Sequence, residues 1–584
     1  MKAARYAMAG SLVVATGTLL LANQSCSVIE NKFDQQCNTT QDCVDLANRQ
    51  PRLPDGGPSV SGLVCSDQHV CVPESGCHSN AECQLSNGGV GSAYICRQSD
   101  RTCQSLTLPS PDGGEDICKV LADPADYSNE NTIWLGAAVL YKDDSYQGLE
   151  MVRQDFNHLA SGLPPASAGS SARRPLAFVY CDGETIDVTG QHLVNDLQLP
   201  VIITSLDTTT EISLLQNYSI ANGNTVFQLS TSAGGELLKT IDNKGQLIDL
   251  VLINENYDKE SAAIVKNYYT PTLQTAGTVP ANTPPRVAVL HSSTPTYANT
   301  STKIVTALQS AQTPSTVVDF GYGDSANPTG TDAEYLAVVA NVLAFKPNVV
   351  IVLGDNEIAS VDLPIEAQWA TAVPDQPPPQ WLALLGAVGE LPIDMGTLDP
   401  ATQLNWAGRS LFVQQHYDFN GSQFTSYLAQ LEQLFPTDPD GIWEAEQSSP
   451  YNEFLREGAY VTAYGIALLA GENKPLTGAN IAAAARTFGM QNPMAVTVGP
   501  SGIFPGLQTT ATGKPLNLLN FQGWTGFNAS GFANYALADD VDCLAPGTPT
   551  DDGGLSLGAL APTGAQFDAT GTFLNSISLT SCAH

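Results

Sequence analysis

The chain has 584 residues, room for two or more domains, of which 43% are hydrophobic and 14% charged. Charge is scarce beside the about 25% of ordinary soluble domains, and Ser, Thr, Asn and Gln carry the polarity instead. A formal net charge of -34 repels phosphate backbones and anionic headgroups, which argues against nucleic-acid binding and electrostatic adsorption to a membrane.

The first 25 residues read as a secretory leader. Lys2 and Arg5 form a positive start, and Leu12 to Leu21 form an apolar run too short to span a bilayer. Cys26 follows Asn23, Gln24 and Ser25 and resembles a bacterial lipoprotein processing site, which implies a lipidated N-terminus at Cys26. The alternative is ordinary leader cleavage, with Cys26 as a disulfide partner. Arithmetic favours the lipid: without Cys26, the other twelve cysteines pair evenly. Membrane attachment would then come through the lipid alone. Ser27, which follows the lipidation cysteine, leans towards the outer rather than the inner membrane.

Residues 26–36 form a tether, and 37–104 a cysteine-rich repeat. Cys37, Cys43, Cys65 and Cys71 make one unit; Cys77, Cys83, Cys96 and Cys103 make the next, and CNTTQDC and CHSNAEC are near copies. Units this small cannot bury an adequate core, so disulfides are expected to hold them. Each allows three pairings. Zinc fits less well, because there is no C-x2-C pair and His69 and His78 are not at finger spacing. By cysteine spacing the units resemble small EGF-like or stalk modules. Residues 105–117 (SLTLPSPDGGEDI) read as a Pro/Gly linker.

From Cys118 the pattern becomes alternating strands and helices. Strands are expected at Ile133–Leu140, Leu176–Tyr180, Val201–Thr204, Leu250–Ile253, Arg286–Leu290 and Val349–Leu353. Helices are expected at Gln147–Leu159, Thr302–Ala311 and Asp332–Phe345. Continuous apolar strands in βα units predict parallel sheets covered on both faces, split into two lobes by the length of the section. After Cys543 the chain turns Gly, Thr, Asp and Ser rich, and 546–584 reads as a tail.

The order of these segments resembles the type I periplasmic-binding-protein family, nearest to the extracellular ligand-binding receptors of branched-chain amino-acid ABC uptake systems. IWLGAAVL with GLEMVRQDFN is similar to the family's opening strand and helix, and LAFVYCDGET to its second strand with an Asp turn. LPVIITSLDTTTE, NTVFQLSTSAGGE, RVAVLHSSTPTYANTSTKIV and LAFKPNVVIVLGDNEIA follow in the family's order. FTSYLAQLEQLF and EGAYVTAYGIALLAG look like the helices of the return to the first lobe. The resemblance covers 118–545. It implies an α/β, two-lobed periplasmic-binding-protein-like fold with hinged lobes, preceded here by the disulfide-rich module. Lobe one would take 118–228 and 418–500, and lobe two 229–417 and 501–545. Two positions depart from the family: Gln228 stands where an Arg is usual, and Asp207 lies where anionic substrate groups often bind.

In such sheets ligands bind outside the carboxyl ends of the strands. The candidate ligand contacts are therefore Ser145, Tyr146, Asp182, Ser205, Asp207, Thr208 and Thr209 on lobe one. On lobe two they are Ser292, Tyr297, Asp355 and Glu357. Hydroxyls and loop amides suit a carboxylate, and a lobe-two carboxylate suits an ammonium, the division the resemblance implies for amino acids. The competing structural roles are turn formation for Asp182 and helix capping around Thr208 and Thr209. The implied function is capture of a small polar solute by hinge closure for ABC-type uptake, with a permease as partner and no cofactor or metal. The alternative is a surface receptor or adhesion lipoprotein that uses the fold without transport, which the cysteine units favour.

Enzyme signatures are weak. H-E-x-x-H, Walker and G-x-G-x-x-G patterns are absent. The single G-x-S-x-G, around Ser556, lies in Gly-rich sequence without the strand and helix a nucleophile elbow needs. His291 and His416 are the histidines near expected cleft loops. Cys181, beside Asp182, is expected in a disulfide with Cys118, leaving Cys543 with Cys582; the exchange of Cys118 onto Cys543 stays open. If the lipid reading holds, Cys26→Ala moves the protein from the detergent phase to the aqueous phase on detergent partition. Unchanged partition contradicts it.

Overall fold

The computed structural model describes residues 37–582 apart from 38, 40, 44, 46–62, 66–70, 74–75, 112, 141–144, 166–169, 235, 252–255, 312–313, 325–326, 355, 389–397, 418–420, 438–450, 490, 493, 536, 546–559 and 581. The leader, Cys26, the 26–36 tether, Asp355 and Ser556 lie outside the described residues. The chain divides into a small unit, which ends at Ser105 and includes Tyr127–Glu130, and a large unit of Leu106–Asp126 and Asn131–His584.

The small unit repeats one device. Strands β1 (Leu63–Cys65) and β2 (Cys71–Pro73) pair antiparallel, and Cys37–Cys65 and Cys43–Cys71 are bonded. In the second copy, helix α1 (Asn80–Ser86) precedes the antiparallel pair β3 (Tyr94–Arg97) and β4 (Thr102–Ser105), tied by Cys77–Cys96 and Cys83–Cys103. Both copies therefore pair first with third and second with fourth cysteine, which resolves the three-way choice. Ser79 caps α1 by accepting from the Glu82 amide, and Asn80 Oδ1 accepts from the Cys96 amide at 2.8 Å, fixing helix to hairpin. Closing loops of 19 to 28 residues, each bond contributes about 3 kcal/mol through the unfolded chain.

The large unit holds two sheets. The first contains β5 (Cys118–Leu121), β6 (Ile133–Val139), β7 (Leu176–Asp182), β8 (Val201–Ser205), β9 (Phe227–Ser230) and β10 (Leu247–Asp249), in the order β10-β9-β8-β6-β7-β5. All are parallel except β5, which runs against β7 with Cys118 opposite Cys181, and these two are bonded. Each strand from β6 to β9 is buried on both faces, hence the unbroken apolar runs. Helix α2 (Gln147–Gln154) follows β6, and α3 (Thr208–Leu214) follows β8. Leu149, Val152 and Phe156 bury the apolar stripe of α2 and the π-turn that continues it.

After helix α4 (Tyr257–Ile264) the second sheet begins with β11 (Arg286–Ser292), helix α5 (Pro295–Ser310) and β12 (Thr316–Tyr322). Then come β13 (Val349–Leu353), β14 (Gln380–Leu384) and β15 (Ser410–Gln415), all parallel to one another. The chain returns through α6 (Ser422–Leu434) and α7 (Tyr451–Glu472), then four short strands: β16 (Ala495–Thr497), β17 (Asn517–Leu519), β18 (Trp524–Phe527) and β19 (Ala533–Tyr535). It ends with β20 (Leu537–Leu544) and β21 (Leu560–Asp568), antiparallel additions that complete the order β12-β11-β13-β14-β15-β20-β21.

The structure moves several expected boundaries. The first sheet runs past 228 through β9 and β10. Ile503, Leu507, Leu516, Leu518, Trp524 and Tyr535 pack in the same core as β6 and β8, so most of 501–535 belongs with lobe one. Strand β10 spans Leu247–Asp249, just before the strand expected at Leu250–Ile253, whose last two residues lie outside the described ones. The tail contains β21, and Cys582 is bonded to Cys543, so it closes the edge of the second sheet. The linker is not a free spacer: Leu106 and Ile117 are buried, and Leu108 pairs with Cys118.

Helix α7 is buried nearly all round, filling the first lobe between α2 and the sheet. Its contact with α2 needs Gly148, where an added Cβ would lie 2.0 Å from the Asn452 carbonyl oxygen. Gly148→Ala should cost about 1–3 kcal/mol of stability, as overpacking does, read from chemical denaturation; an unchanged midpoint would contradict this packing.

Candidate functional site

Each sheet has its first strand flanked by its second and third, in the order 2-1-3-4-5 for β7-β6-β8-β9-β10 and for β12-β11-β13-β14-β15. Strand order reverses beside β6 and β11, so a crevice opens at the carboxyl ends of β6 with β8 and of β11 with β13. The chain crosses between sheets three times. It leaves the carboxyl end of β10, leaves the carboxyl end of β15, and re-enters at the start of β20, where Asp539 lies opposite Gln415. The hinge is therefore on the carboxyl side of both sheets, the side that holds both switch points.

On lobe one, β8 ends at Ser205, which lies opposite Val139 and whose carbonyl accepts from the Leu140 amide at 3.1 Å. Ser145 stands just before α2. Ser145 is 3% and Ser205 7% exposed, yet neither hydroxyl makes a hydrogen bond among the described residues. Tyr146 stacks on Tyr180 with centroids 5.8 Å apart and meets Phe435 edge-on at 6.2 Å. These groups bring polar hydroxyls and an aromatic wall to one edge.

The other lobe-one candidates have local work. Asp207 caps α3: one carboxylate oxygen accepts from the Thr209 and Thr210 amides at 2.8 and 3.0 Å, the other from the Thr210 hydroxyl at 2.5 Å. Thr208 and Thr209 form the first turn of that helix. Asp182 accepts from the Glu184 amide and forms a turn. Gln228 is fully buried behind the edge. Its amide donates to the Glu211 carboxyl at 2.7 Å, and its carbonyl accepts from Ser219 at 2.8 Å. Burial pushes the Glu211 carboxyl up to about 7, against the Gln228 and Thr204 hydrogen bonds that lower it. A neutral acid thus fills the space behind Gln228, a network that the sequence pattern does not reveal.

On lobe two, Ser292 ends β11 and bonds locally with Thr294, at 3.0 Å between hydroxyls. Glu357 accepts from the Tyr322 hydroxyl at 3.2 Å. Gly354 permits that approach, since a Cβ there would meet the Tyr322 oxygen at 2.8 Å. Tyr297 lies in the first turn of α5, just after β11, and packs with the core cluster there. His291 faces Asp319 at 3.2 Å, and His416 pairs with Asp540 at 2.7 Å. Asp319 also accepts from the Ser301 hydroxyl, and Cys181 is held in its disulfide.

The hinge is not evident from the sequence pattern. Asp249 is fully buried at the first crossing, and Tyr535 donates to the Leu250 carbonyl. Around the other two crossings, Gln414 donates to Asp542 and Gln566 to Asp540. Burial holds the Asp249 carboxyl well above the usual range and lifts Asp539 and Asp542 to about 7. The signal is the run Asp539, Asp540 and Asp542, whose polarity hides a strand. Among the described residues, the sets able to supply three metal ligands are Cys37, Cys43, Cys65 and Cys77, Cys83, Cys103, all in disulfides.

No family model and no curated protein matches the sequence. Solved structures do. A Rhodopseudomonas palustris ABC-transporter solute-binding protein in complex with benzoate is 11% identical, with 74% of this chain and 97% of that chain covered and a TM-score of 0.43. The type 1 periplasmic binding protein of Bordetella pertussis Tohama I is 11% identical, with 74% and 100% covered and a TM-score of 0.45. A solute-binding protein of Rhodopseudomonas palustris HaA2 in complex with p-hydroxybenzoic acid is 10% identical, with 75% and 97% covered and a TM-score of 0.46.

The raised carboxyls set a pH dependence. Folding favours their neutral form, so the stability they contribute is complete below about pH 4 and lost as pH rises through about 7. The denaturation midpoint should fall between about pH 4.5 and about pH 8. Glu211→Gln should remove on the order of 3 kcal/mol of that fall, since each tenfold change in proton affinity on folding is worth about 1.4 kcal/mol. A fall of equal size in the variant contradicts a neutral Glu211.

Proposed function

We propose that this protein is an extracytoplasmic solute-binding protein whose two lobes close on a small polar ligand at the switch-point crevice. One observation carries the reading: Ser145 and Ser205 are buried at the crevice edge of lobe one, and neither hydroxyl has a hydrogen-bond partner among the described residues. Neither hydroxyl oxygen is among the fully buried atoms that lack a partner, so both stay open to the crevice, where a ligand between the lobes would take the place of water. The hinge favours the same reading, because its three crossings let the lobes rotate without breaking either sheet. Delivery to an ABC-type permease, and anchoring through a lipid on Cys26, complete this reading. Amino acids are the ligand class that the sequence resemblance implies.

A second reading keeps the ligand but replaces transport with sensing or adhesion at the cell surface. The two disulfide-closed modules of the small unit favour it, since delivery to a permease needs only a flexible tether.

A thermal-shift panel of amino acids, amides, nucleosides, sugars, amines and carboxylates on the full mature chain tests the binding reading. A ligand at about 100 times its dissociation constant should add about 2.7 kcal/mol of stability. Ser145→Ala with Ser205→Ala should abolish that gain while leaving the unliganded melt in place. A panel in which no compound raises the melting temperature overturns the solute-binding reading.

A further inference from the structure

Most described loops at the crevice edges are acidic. The described strand ends and loops of β7, β8, β12 and β13 hold Asp182, Glu184, Asp207, Asp324 and Glu357. Among the described residues, the loops that follow β6 to β8 and β11 to β14 hold no Lys or Arg, while the connection after β9 carries Lys239 and Lys244. The place where a helix N-terminus would receive an anion is already taken. The Thr209 and Thr210 amides at the start of α3 both donate to Asp207, so a ligand carboxylate there would meet a carboxylate. Gln228 adds no charge, because it is buried against Glu211.

What the crevice does offer suits the opposite sign. Ser145 and Ser205 are more than nine-tenths buried, their hydroxyls are unpartnered among the described residues, and each has lone pairs that accept from an ammonium. Tyr146, stacked on Tyr180 beside Ser145, supplies the aromatic surface that attracts cations through its ring quadrupole. Across the crevice, Glu357 stands at the end of β13, with Tyr322 bonded to it. A net charge of -34 enriches cations around the whole chain.

We propose that the crevice binds a small organic cation, an amine or quaternary ammonium held by Ser145, Ser205 and the Tyr146 ring, and that Asp207 excludes carboxylates from it. This rests on the solute-binding reading and narrows its ligand class, away from ligands anchored by a carboxylate. Asp207 does two things at once: it caps α3 and places a negative charge two residues beyond Ser205, at the crevice edge.

Calorimetric titration of the full mature chain with matched compounds tests the proposal: benzylamine, choline and putrescine against benzoate, acetate and succinate. At least one amine should bind ten or more times tighter than its carboxylate counterpart. Asp207→Asn keeps the cap, since Asn also caps helices well, and removes the charge. It should weaken the amine and strengthen the carboxylate, reducing the ratio at least tenfold at an unchanged melting temperature. Asp207→Ser serves if the first variant melts early. Carboxylates binding as tightly as amines, or a ratio unmoved by Asp207→Asn, overturns the proposal and leaves the solute-binding reading standing. If none of the six binds while an uncharged compound of the wider panel does, the cation assignment fails alone. If nothing in either set binds, both fail.

Discussion

Three segments of chain join the two sheets, and all three meet them at the carboxyl ends of the strands. That constraint places everything else. Because the crossings follow β10 and β15 and precede β20, the switch points beside β6 and β11 lie on the hinge side. The crevice, the loop residues that line it and the axis about which it would close then share one edge of each lobe. Right-handed crossovers and parallel pairing lead to this arrangement once the apolar strands form. The loops that follow β6, β8, β11 and β13 remain free to carry chemistry.

Polar groups around the crevice fall into two kinds. Glu211, Gln228, Thr204 and Ser219 hydrogen-bond one another behind the lobe-one edge through one oxygen of the acid, which burial holds towards its neutral form. Asp249, Asp539 and Asp542 stand similarly raised around the crossings. Ser145 and Ser205 differ in having no partner of their own among the described residues.

Much of this architecture is legible in the sequence where local signals agree. Val349–Leu353 is a continuous apolar run and forms a strand with those bounds; Asp332–Phe345 is an apolar-periodic helix with acids in its first turn. Signals fail where a buried polar residue interrupts the pattern. Strand β10 lies just before its expected position and ends at the buried Asp249, and Asp539, Asp540 and Asp542 conceal β20, although antiparallel pairing with β15 satisfies its backbone. Strand β21 is hidden because its Gly and Thr residues read as loop. At the site, Ser145, Tyr146, Ser205 and Asp207 come to one edge. Tyr297 packs with the core cluster at the first turn of α5, and Asp182 forms a turn. Sequence also cannot show that Asp207 occupies the amides an anion would need, since this depends on the backbone geometry of the first turn of α3.

The most direct test of the account is a distance between lobes. Spin labels on cysteines replacing Asn195 in lobe one and Lys303 in lobe two, both exposed, report the separation by pulsed dipolar spectroscopy. Adding a saturating ligand should replace a long, broad distance distribution with a shorter, narrower one. A distribution that stays unchanged while calorimetry shows the site full would contradict closure of the lobes on a ligand.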